Sequence, residues 1–125
     1  MFDPYEAVLE FHKLIGAYIG TKPEIPSLDI VNLRVSLIEE ELGELKEALY
    51  NKDILWVADG LADLLYVVYG TAISCGIDIR DIFVEIHRSN LTKIGGNKRA
   101  DGKALKPPTY DPPHLEEILR RQSGI

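Results

Sequence analysis

Residues 33–49 read LRVSLIEEELGELKEAL, and residues 54–74 read ILWVADGLADLLYVVYGTAIS. In the first stretch, leucine and isoleucine recur at helical spacing, which predicts an amphipathic helix that begins near Asp29. The second stretch is apolar on nearly every face, which predicts a helix buried between neighbours. Asp53 supplies a cap for the start of this helix, and Gly76 supplies one for its end. These two helices decide the fold class.

Helical signals continue on both sides of this pair, whereas strand signals are nearly absent. The pattern predicts further helices over residues 4–19, from Asp78 or Arg80 through Leu91 to a stop at Gly95-Gly96, and over residues 115–121. Residues 97–113 form a tail rich in glycine, lysine and proline, without a core pattern of its own. The sequence therefore predicts an all-α protein with a four-helix core and an irregular basic C-terminal tail. Its length suits one domain, residues 1–125.

Composition and charge exclude several functional classes. Hydrophobic residues make up 46% of the chain and charged residues 27%, as in soluble globular proteins. The net charge of −6 argues against nucleic-acid binding. No apolar run reaches ~18 residues and no signal-peptide pattern is present, so we expect a cytoplasmic protein without a membrane partner. Cys75 is the only cysteine, which excludes an intramolecular disulfide.

The second predicted helix carries a dense acidic segment, with five glutamates in residues 39–47. At about 100° per residue, Glu40, Glu41 and Glu44 fall on one stripe at the edge of the apolar face. These carboxylates repel one another, and partial burial raises the cost. We expect Arg34 to supply part of the compensating charge and a divalent cation to supply more. A solvated helix face is the alternative interpretation.

Asp59 and Asp63 form a second pair of carboxylates, spaced four residues apart and therefore on one face of the next helix. They interrupt an apolar segment, and charged residues are seldom buried without partners. If the two helices pack antiparallel, Glu41 and Glu44 can face Asp63. A cluster of oxygen ligands suits Mg²⁺ or Mn²⁺. For Asp59, an exposed position near a helix start is an equally good interpretation.

Nearly half of the positive charge of this acidic chain lies between residues 87 and 106. A solvated tail is one interpretation, and an anion site opposite the metal is the other. Asn90 and Lys93 are spaced three residues apart on the fourth predicted helix, so their side chains can reach one phosphate together. Tyr110 either stacks on a base or pins the tail to the body, and residues 97–113 are expected to be mobile and to close as a lid over a bound ligand. The predicted substrate-binding residues are Asn90, Lys93, Lys103, Lys106 and Tyr110.

These motifs resemble a known family. Residues 40–44, EELGE, match the EExxE motif of the all-α NTP pyrophosphohydrolases, the MazG-like superfamily, which includes phosphoribosyl-ATP pyrophosphohydrolases and dimeric dUTPases. Residues 59–70, DGLADLLYVVYG, resemble the second motif of that superfamily, ExxD followed by an apolar run. Residues 85–96, EIHRSNLTKIGG, and residues 101–108, DGKALKPP, look like the branch between MazG and the dimeric dUTPases. The resemblance extends over most of residues 33–113.

The resemblance implies Mg²⁺-dependent hydrolysis of a nucleoside triphosphate to the monophosphate and pyrophosphate, with Mn²⁺ as a substitute ion. It also implies tightly packed subunits, and we expect a homodimer or homotetramer because residues 54–74 carry more apolar surface than this chain can cover. Glu40 is expected to orient or deprotonate the attacking water, although Glu40 and Glu41 can exchange roles. The expected metal ligands are Glu40, Glu41, Glu44, Asp59 and Asp63.

One position departs from the family pattern. The first residue of ExxD falls on Gly60, so Asp59 stands beside the expected ligand position as its substitute. Three other functions stay open at this point. The chain could be a phosphoribosyl-ATP pyrophosphohydrolase, a non-catalytic nucleotide-binding regulatory subunit, or a purely structural helical oligomer.

Overall fold

The structure is a computed structural model that describes residues 1–124. It contains five helices: α1 (Pro4–Ile15), α2 (Leu28–Tyr50), α3 (Ile54–Ser74), α4 (Ile79–Leu91) and α5 (Leu115–Gln122). Residues 1–124 contain no β-strand, only one isolated antiparallel bridge between Lys98 and Ala104. The all-α class is therefore confirmed. The chain forms two compact units, Met1–Asp78 with α1–α3 and a second unit from Ile79 onward with α4 and α5.

The predicted end of the first helix is wrong, whereas the second helix begins near Asp29 as predicted. The first helix ends at Ile15 rather than residue 19, because Gly16 adopts the left-handed conformation (φ 72°) that ends a helix. The second helix begins one residue before Asp29, which lies in its first turn and does not cap it. The predicted cap of α3 is confirmed, since the Trp56 backbone N–H donates to Asp53 Oδ1 at 3.3 Å.

The helices α2 and α3 form an antiparallel hairpin, which is the most extensive helix packing in the first unit. Near the turn, α3 approaches α2 so closely that a Cβ atom on Gly60 would lie 3.1 Å from Leu45 Cα. Toward the other end, the buried Arg34 guanidinium donates to the Val67 carbonyl at 2.9 Å and to Thr71 Oγ1 at 3.1 Å. Residues near the end of α2 therefore face residues near the start of α3, and residues near the start of α2 face residues near the end of α3.

The helix α1 packs on α3 and closes the core of this unit. The rings of Phe11 and Tyr66 meet edge to face, with 5.6 Å between their centroids. His12 is buried beside Arg34, and its Nδ1 donates to the Tyr18 carbonyl at 3.2 Å. Gly70 makes room for both side chains, because a Cβ there would lie 2.4 Å from Arg34 Nη2 and 2.9 Å from His12 Nε2.

Much of the apolar surface of the hairpin is left exposed by residues 1–124. Several α2 positions on the predicted apolar face, including Leu42 and Leu49, are about half exposed, because α2 packs mainly against α3. The same is true of Leu61 and Leu65 on α3. By length and composition alone α3 could cross a membrane, and 11% of its most apolar window is buried. The described chain thus leaves part of the apolar surface of α3 exposed, as the sequence predicted.

In the second unit, polar contacts tie the tail to α4. Arg88 forms ion pairs with Glu85 (2.8 Å) and Asp111 (2.9 Å), and the buried Ser89 hydroxyl donates to the Asp111 carbonyl. Glu85 also accepts the backbone N–H of His114. The Arg88 guanidinium and this N–H lower the pKa of Glu85 to about 2. The C-terminal end of the tail is thus fixed to α4 before α5 begins.

Candidate functional site

Glu41 is the centre of the acidic cluster. The packing of α2 against α3 leaves this side chain half buried, while its neighbour Glu40 and the next-turn Glu44 stay exposed. Its Oε2 atom is shielded from solvent and has no hydrogen-bond partner within residues 1–124. A buried carboxylate oxygen without a partner costs free energy, about 1–3 kcal/mol or more for a charged group. Such an oxygen indicates a missing positive partner.

The electrostatics of Glu41 show which carboxylates surround it. Burial is the main cause that raises its pKa, followed by the negative charges of Glu44 and Asp63. A side-chain hydrogen bond with Glu44 and the charge of Glu40 raise it further. Asp63 lies on α3, so the structure brings the acidic stripe of α2 and this residue together across the hairpin seam. This is the juxtaposition that the antiparallel hypothesis predicted.

Asp63 is linked in turn to Asp59. Burial raises the pKa of the half-buried Asp63, and the charge of Asp59 and a side-chain hydrogen bond with it add to the shift. The two residues therefore share one face of α3, as their spacing predicted. Gly60 faces Leu45 of α2, and a Cβ atom there would lie 3.1 Å from Leu45 Cα, so a side chain at this position would require the two helices to shift slightly. The exposed Asp59 is accordingly the acid that accompanies Asp63 on α3.

The expectation for Arg34 is wrong. Its guanidinium is buried between α1, α2 and α3 and donates to Val67 and Thr71 instead of a carboxylate. It does not contribute to the pKa of Glu41. The acidic cluster therefore lacks the internal cation that its sequence neighbourhood suggested.

The residues of the cluster fit a hard divalent cation by their chemistry. All their ligand atoms are carboxylate oxygens, which Mg²⁺ and Mn²⁺ prefer, and one of these oxygens is buried and unpartnered. Within the part of the chain that the structure describes, no three His, Cys, Asp or Glu side chains already stand in an arrangement that could hold a metal ion. Binding would therefore draw the carboxylates inward, and the cation would replace their mutual repulsion by attraction.

The predicted substrate-binding residues all lie in the second unit. The ammonium groups of Lys93 and Lys106 lie 5.6 Å and 5.2 Å from the centroid of the Tyr110 ring, so these three residues do come together. Such cation–π contacts hold a ring between two positive charges. Asn90 and Lys103 are exposed, and the structure does not bring them to this group through any side-chain contact among residues 1–124.

The lysines of this segment differ from its arginines. Arg88 and Arg99 are neutralised locally, by Glu85 with Asp111 and by Asp101. No described carboxylate pairs with Lys93 or Lys106, so their charges remain available to an anion. The Tyr110 ring contacts Lys93 near the end of α4 and Lys106 in the tail, which supports the pinning interpretation.

Sequence reasoning missed a further residue beside the acidic cluster. Trp56 lines a cavity of about 460 Å³ between the end of α2 and the start of α3, together with Glu44 and Asp59. A usable signal was present, because Trp56, Asp59 and Asp63 are spaced three and four residues apart. That spacing places the indole on the same stripe of α3 as the two aspartates.

Comparison with known proteins decides the family. The model of the family described as phosphoribosyl-ATP pyrophosphohydrolase matches residues 8–90. The chain belongs to this family. Membership confirms the resemblance to the MazG-like superfamily and agrees with the all-α fold.

The family match covers residues 8–90 and leaves the C-terminal tail outside it. It begins within α1, includes all of α2 and α3 and nearly all of α4, and therefore contains every carboxylate of the acidic cluster as well as Asn90. Lys93, Lys103, Lys106 and Tyr110 lie beyond its end. An uncharacterized protein of Acanthamoeba polyphaga mimivirus is 37% identical over 79 residues, which are 60% of this chain and 32% of that relative. The chain thus spans about a third of that relative's length.

Proposed function

We propose that this protein hydrolyses a nucleoside triphosphate to the monophosphate and pyrophosphate with the help of Mg²⁺. The observation that carries the proposal is the buried, unpartnered oxygen of Glu41 inside a cluster of carboxylates, in a chain of the phosphoribosyl-ATP pyrophosphohydrolase family. A structural helix would not gather repelling carboxylates at a packed seam without a compensating function. The proposal names Glu41, Glu44, Asp59 and Asp63 as the residues that hold the cation, with Glu40 beside them.

The burial of the two adjacent glutamates supports a division of roles between them. Glu41 is half buried and surrounded by carboxylates, which suits a ligand, whereas Glu40 is exposed at the edge of the cluster. Mg²⁺, when bound, would neutralise charge on the phosphate oxygens and favour the ionisation of water. Glu40 would orient the attacking water and accept its proton. Water adds to phosphorus as the anhydride bond breaks, and pyrophosphate leaves with the bonding electron pair.

We propose that the lysines of the second unit bind phosphate groups. Lys93 and Lys106 have no carboxylate partner among residues 1–124, and ammonium groups are good point-charge partners for phosphate. Asn90, Lys103 and Tyr110 belong to the same proposal, with residues 97–113 acting as a lid. A nucleotide-dependent slowing of hydrogen exchange in residues 97–113 would support this role.

We also propose that the protein is a homodimer or homotetramer. The exposed residues Ile54, Leu61, Leu65 and Val68 are spaced seven, four and three residues apart along α3, which is the pattern of a helix-packing seam. A second copy is the occupant that this pattern favours, because Asp59 and Asp63 on the same helix are unfavourable in a lipid environment. Light scattering should show at least a dimer at micromolar concentration in the absence of detergent. A stable monomer, or a protein that requires detergent, would contradict this.

The reaction is tested by pyrophosphate release from a panel of nucleoside triphosphates and phosphoribosyl-ATP, with Mg²⁺ and with EDTA. Product analysis by ³¹P NMR distinguishes pyrophosphate from stepwise phosphate release. The proposal expects Mg²⁺-dependent pyrophosphate release from at least one nucleoside triphosphate. A strong preference for phosphoribosyl-ATP would favour the alternative that the family's description carries. Nucleotide binding without turnover would instead indicate a regulatory subunit.

A further inference from the structure

The cavity at the turn of the α2–α3 hairpin borders the acidic cluster directly. It measures about 460 Å³, within the range of small-molecule sites, and Glu44 and Asp59 form the side that it shares with the cluster. The remaining wall includes Glu47, Asn51 and Trp56. A nucleotide whose phosphates engaged the carboxylate cluster would therefore have room for its base or sugar in this cavity.

The backbone of Trp56 is held by a hydrogen bond, whereas its ring is exposed. Its backbone N–H donates to the side chain of Asp53, which fixes the first turn of α3, yet 59% of the residue's surface remains accessible. A large indole left open beside carboxylates presents a flat apolar face in an otherwise polar cavity. Aromatic side chains in this setting bind nucleobases by stacking, because every base has a π-face.

The polar groups of the cavity restrict which base fits. Glu47 and Asp53 offer only acceptor oxygens when ionised, and Asn51 offers one amide that can donate or accept. A base with an exocyclic amino group donates to such acceptors. Uracil and thymine present two carbonyl oxygens around a single N–H, so the carboxylates would repel most of their edge.

We propose that this cavity holds the base of the substrate nucleotide, stacked on Trp56, and that its carboxylates favour cytosine, adenine and guanine over uracil and thymine. The inference rests on the proposed function, since it assumes that the cluster binds the phosphates of the same nucleotide. It assigns Trp56 to base binding and Glu47 to discrimination between bases. Neither residue belongs to the proposed metal ligands.

The chain offers a direct reporter, because Trp56 is its only tryptophan. The experiment titrates the wild-type protein with the α,β-methylene analogues of dCTP, dATP, dGTP, dUTP and dTTP in Mg²⁺, and follows tryptophan fluorescence. Inorganic tripolyphosphate serves as the probe without a base. We expect saturable quenching by the analogues, with dCTP, dATP and dGTP binding more tightly than dUTP and dTTP, and no quenching by tripolyphosphate.

Variants separate stacking from a structural role. Trp56→Ala should weaken binding of the dCTP analogue by about tenfold, measured by calorimetry, because loss of one stacking contact costs this order of affinity. Trp56→Phe should keep most of the affinity. Glu47→Gln should reduce the preference for dCTP over dUTP. Tyr50→Ala is the matched control, since Tyr50 is an exposed aromatic residue near the turn that does not line the cavity.

The outcomes distinguish this inference from the proposed function. Pyrophosphate release by a protein whose fluorescence does not respond to analogues, with normal binding in Trp56→Ala, would overturn the inference and leave the function standing. Quenching by nucleotide analogues without pyrophosphate release would support the base site and overturn the proposed reaction. Equal affinity for the dCTP and dUTP analogues would overturn the proposed base preference.

Discussion

Replacement of Glu41 by glutamine should make the metal-free protein more stable. The variant removes the repulsion of Glu41 from Glu44, Asp63 and Glu40, and each like-charge contact costs a few tenths of a kcal/mol. It also places a neutral amide where a charged oxygen is buried without a partner. Together these terms predict a gain of about 1 kcal/mol in unfolding free energy at pH 7, or a rise of about 4 °C in melting temperature for a chain of this length.

The pH dependence of this effect has a definite sign. Burial and neighbouring carboxylates raise the pKa of Glu41 above its unfolded value, so the folded protein binds the proton more tightly. Wild-type stability should therefore rise as the pH falls from neutral through the folded pKa toward the unfolded value near 4.5. The advantage of Glu41→Gln should shrink over the same interval.

Chemical denaturation measures the stability gain and its pH dependence, first in EDTA and then after the addition of excess Mg²⁺. Saturating Mg²⁺ should reverse the order, because it stabilises only the protein that binds it, by about 2.7 kcal/mol at 100 times the dissociation constant. Glu39→Gln is the matched control, since it removes one exposed carboxylate from the same helix. Equal unfolding free energies for Glu41→Gln and Glu39→Gln, in EDTA and in Mg²⁺, would refute the reasoning.

Two further predictions concern the buried contacts of the first unit. Gly70→Ala should destabilise the protein by about 2–4 kcal/mol in a denaturant titration, because its Cβ would displace the Arg34 guanidinium and the helix-propensity gain is only about 1 kcal/mol. Gly43→Ala, with nothing within 4 Å of the new Cβ, should instead be neutral or stabilising by up to about 1 kcal/mol, and equal losses in both variants would contradict this. Burial above all, and then the charge of Arg34, lower the pKa of His12 below 6.5, although its bond to the Tyr18 carbonyl opposes them. Its contribution to stability should be complete above pH 6.5 and decline as the pH falls toward the lower folded pKa, whereas a His12→Gln variant should lack that decline.

The sequence predicted the positions of the helices better than the contacts that each helix makes in the fold. The α3 bounds and the Asp53 cap follow from a break at residues 51–53 and a continuous apolar run, and both are confirmed. The end of α1 was misplaced because apolar spacing continued past Gly16, whose left-handed conformation overrides the periodic signal. The spacing of apolar residues indicates where a helix forms, whereas the residue at which it ends depends on the backbone conformation of a single residue, here Gly16.

The acidic cluster was predictable because it depends on helix geometry. Spacing alone placed Glu41 and Glu44 on one stripe and Asp63 on the facing helix, and the structure brings them together. The partner of Arg34 was not predictable, since it depends on the room that Gly70 leaves for a side chain from another helix. The exposure of Leu42 could not be predicted either. A hydrophobic pattern predicts that a helix face is buried, but it does not show whether the same chain or another chain covers that face.

The central claim is that the carboxylates at the α2–α3 seam form the metal centre of a nucleotide pyrophosphohydrolase. The most direct measurement is the rate of Mg²⁺-dependent pyrophosphate release by Asp63→Asn, beside Asp29→Asn as an exposed control in the first turn of α2. Loss of groups that merely orient metal ligands costs 10–100-fold, so loss of Asp63 should lower the rate by at least about 100-fold while the control stays near wild type. A folded Asp63→Asn protein that releases pyrophosphate at the wild-type rate, with unchanged Mn²⁺ binding, would contradict the claim.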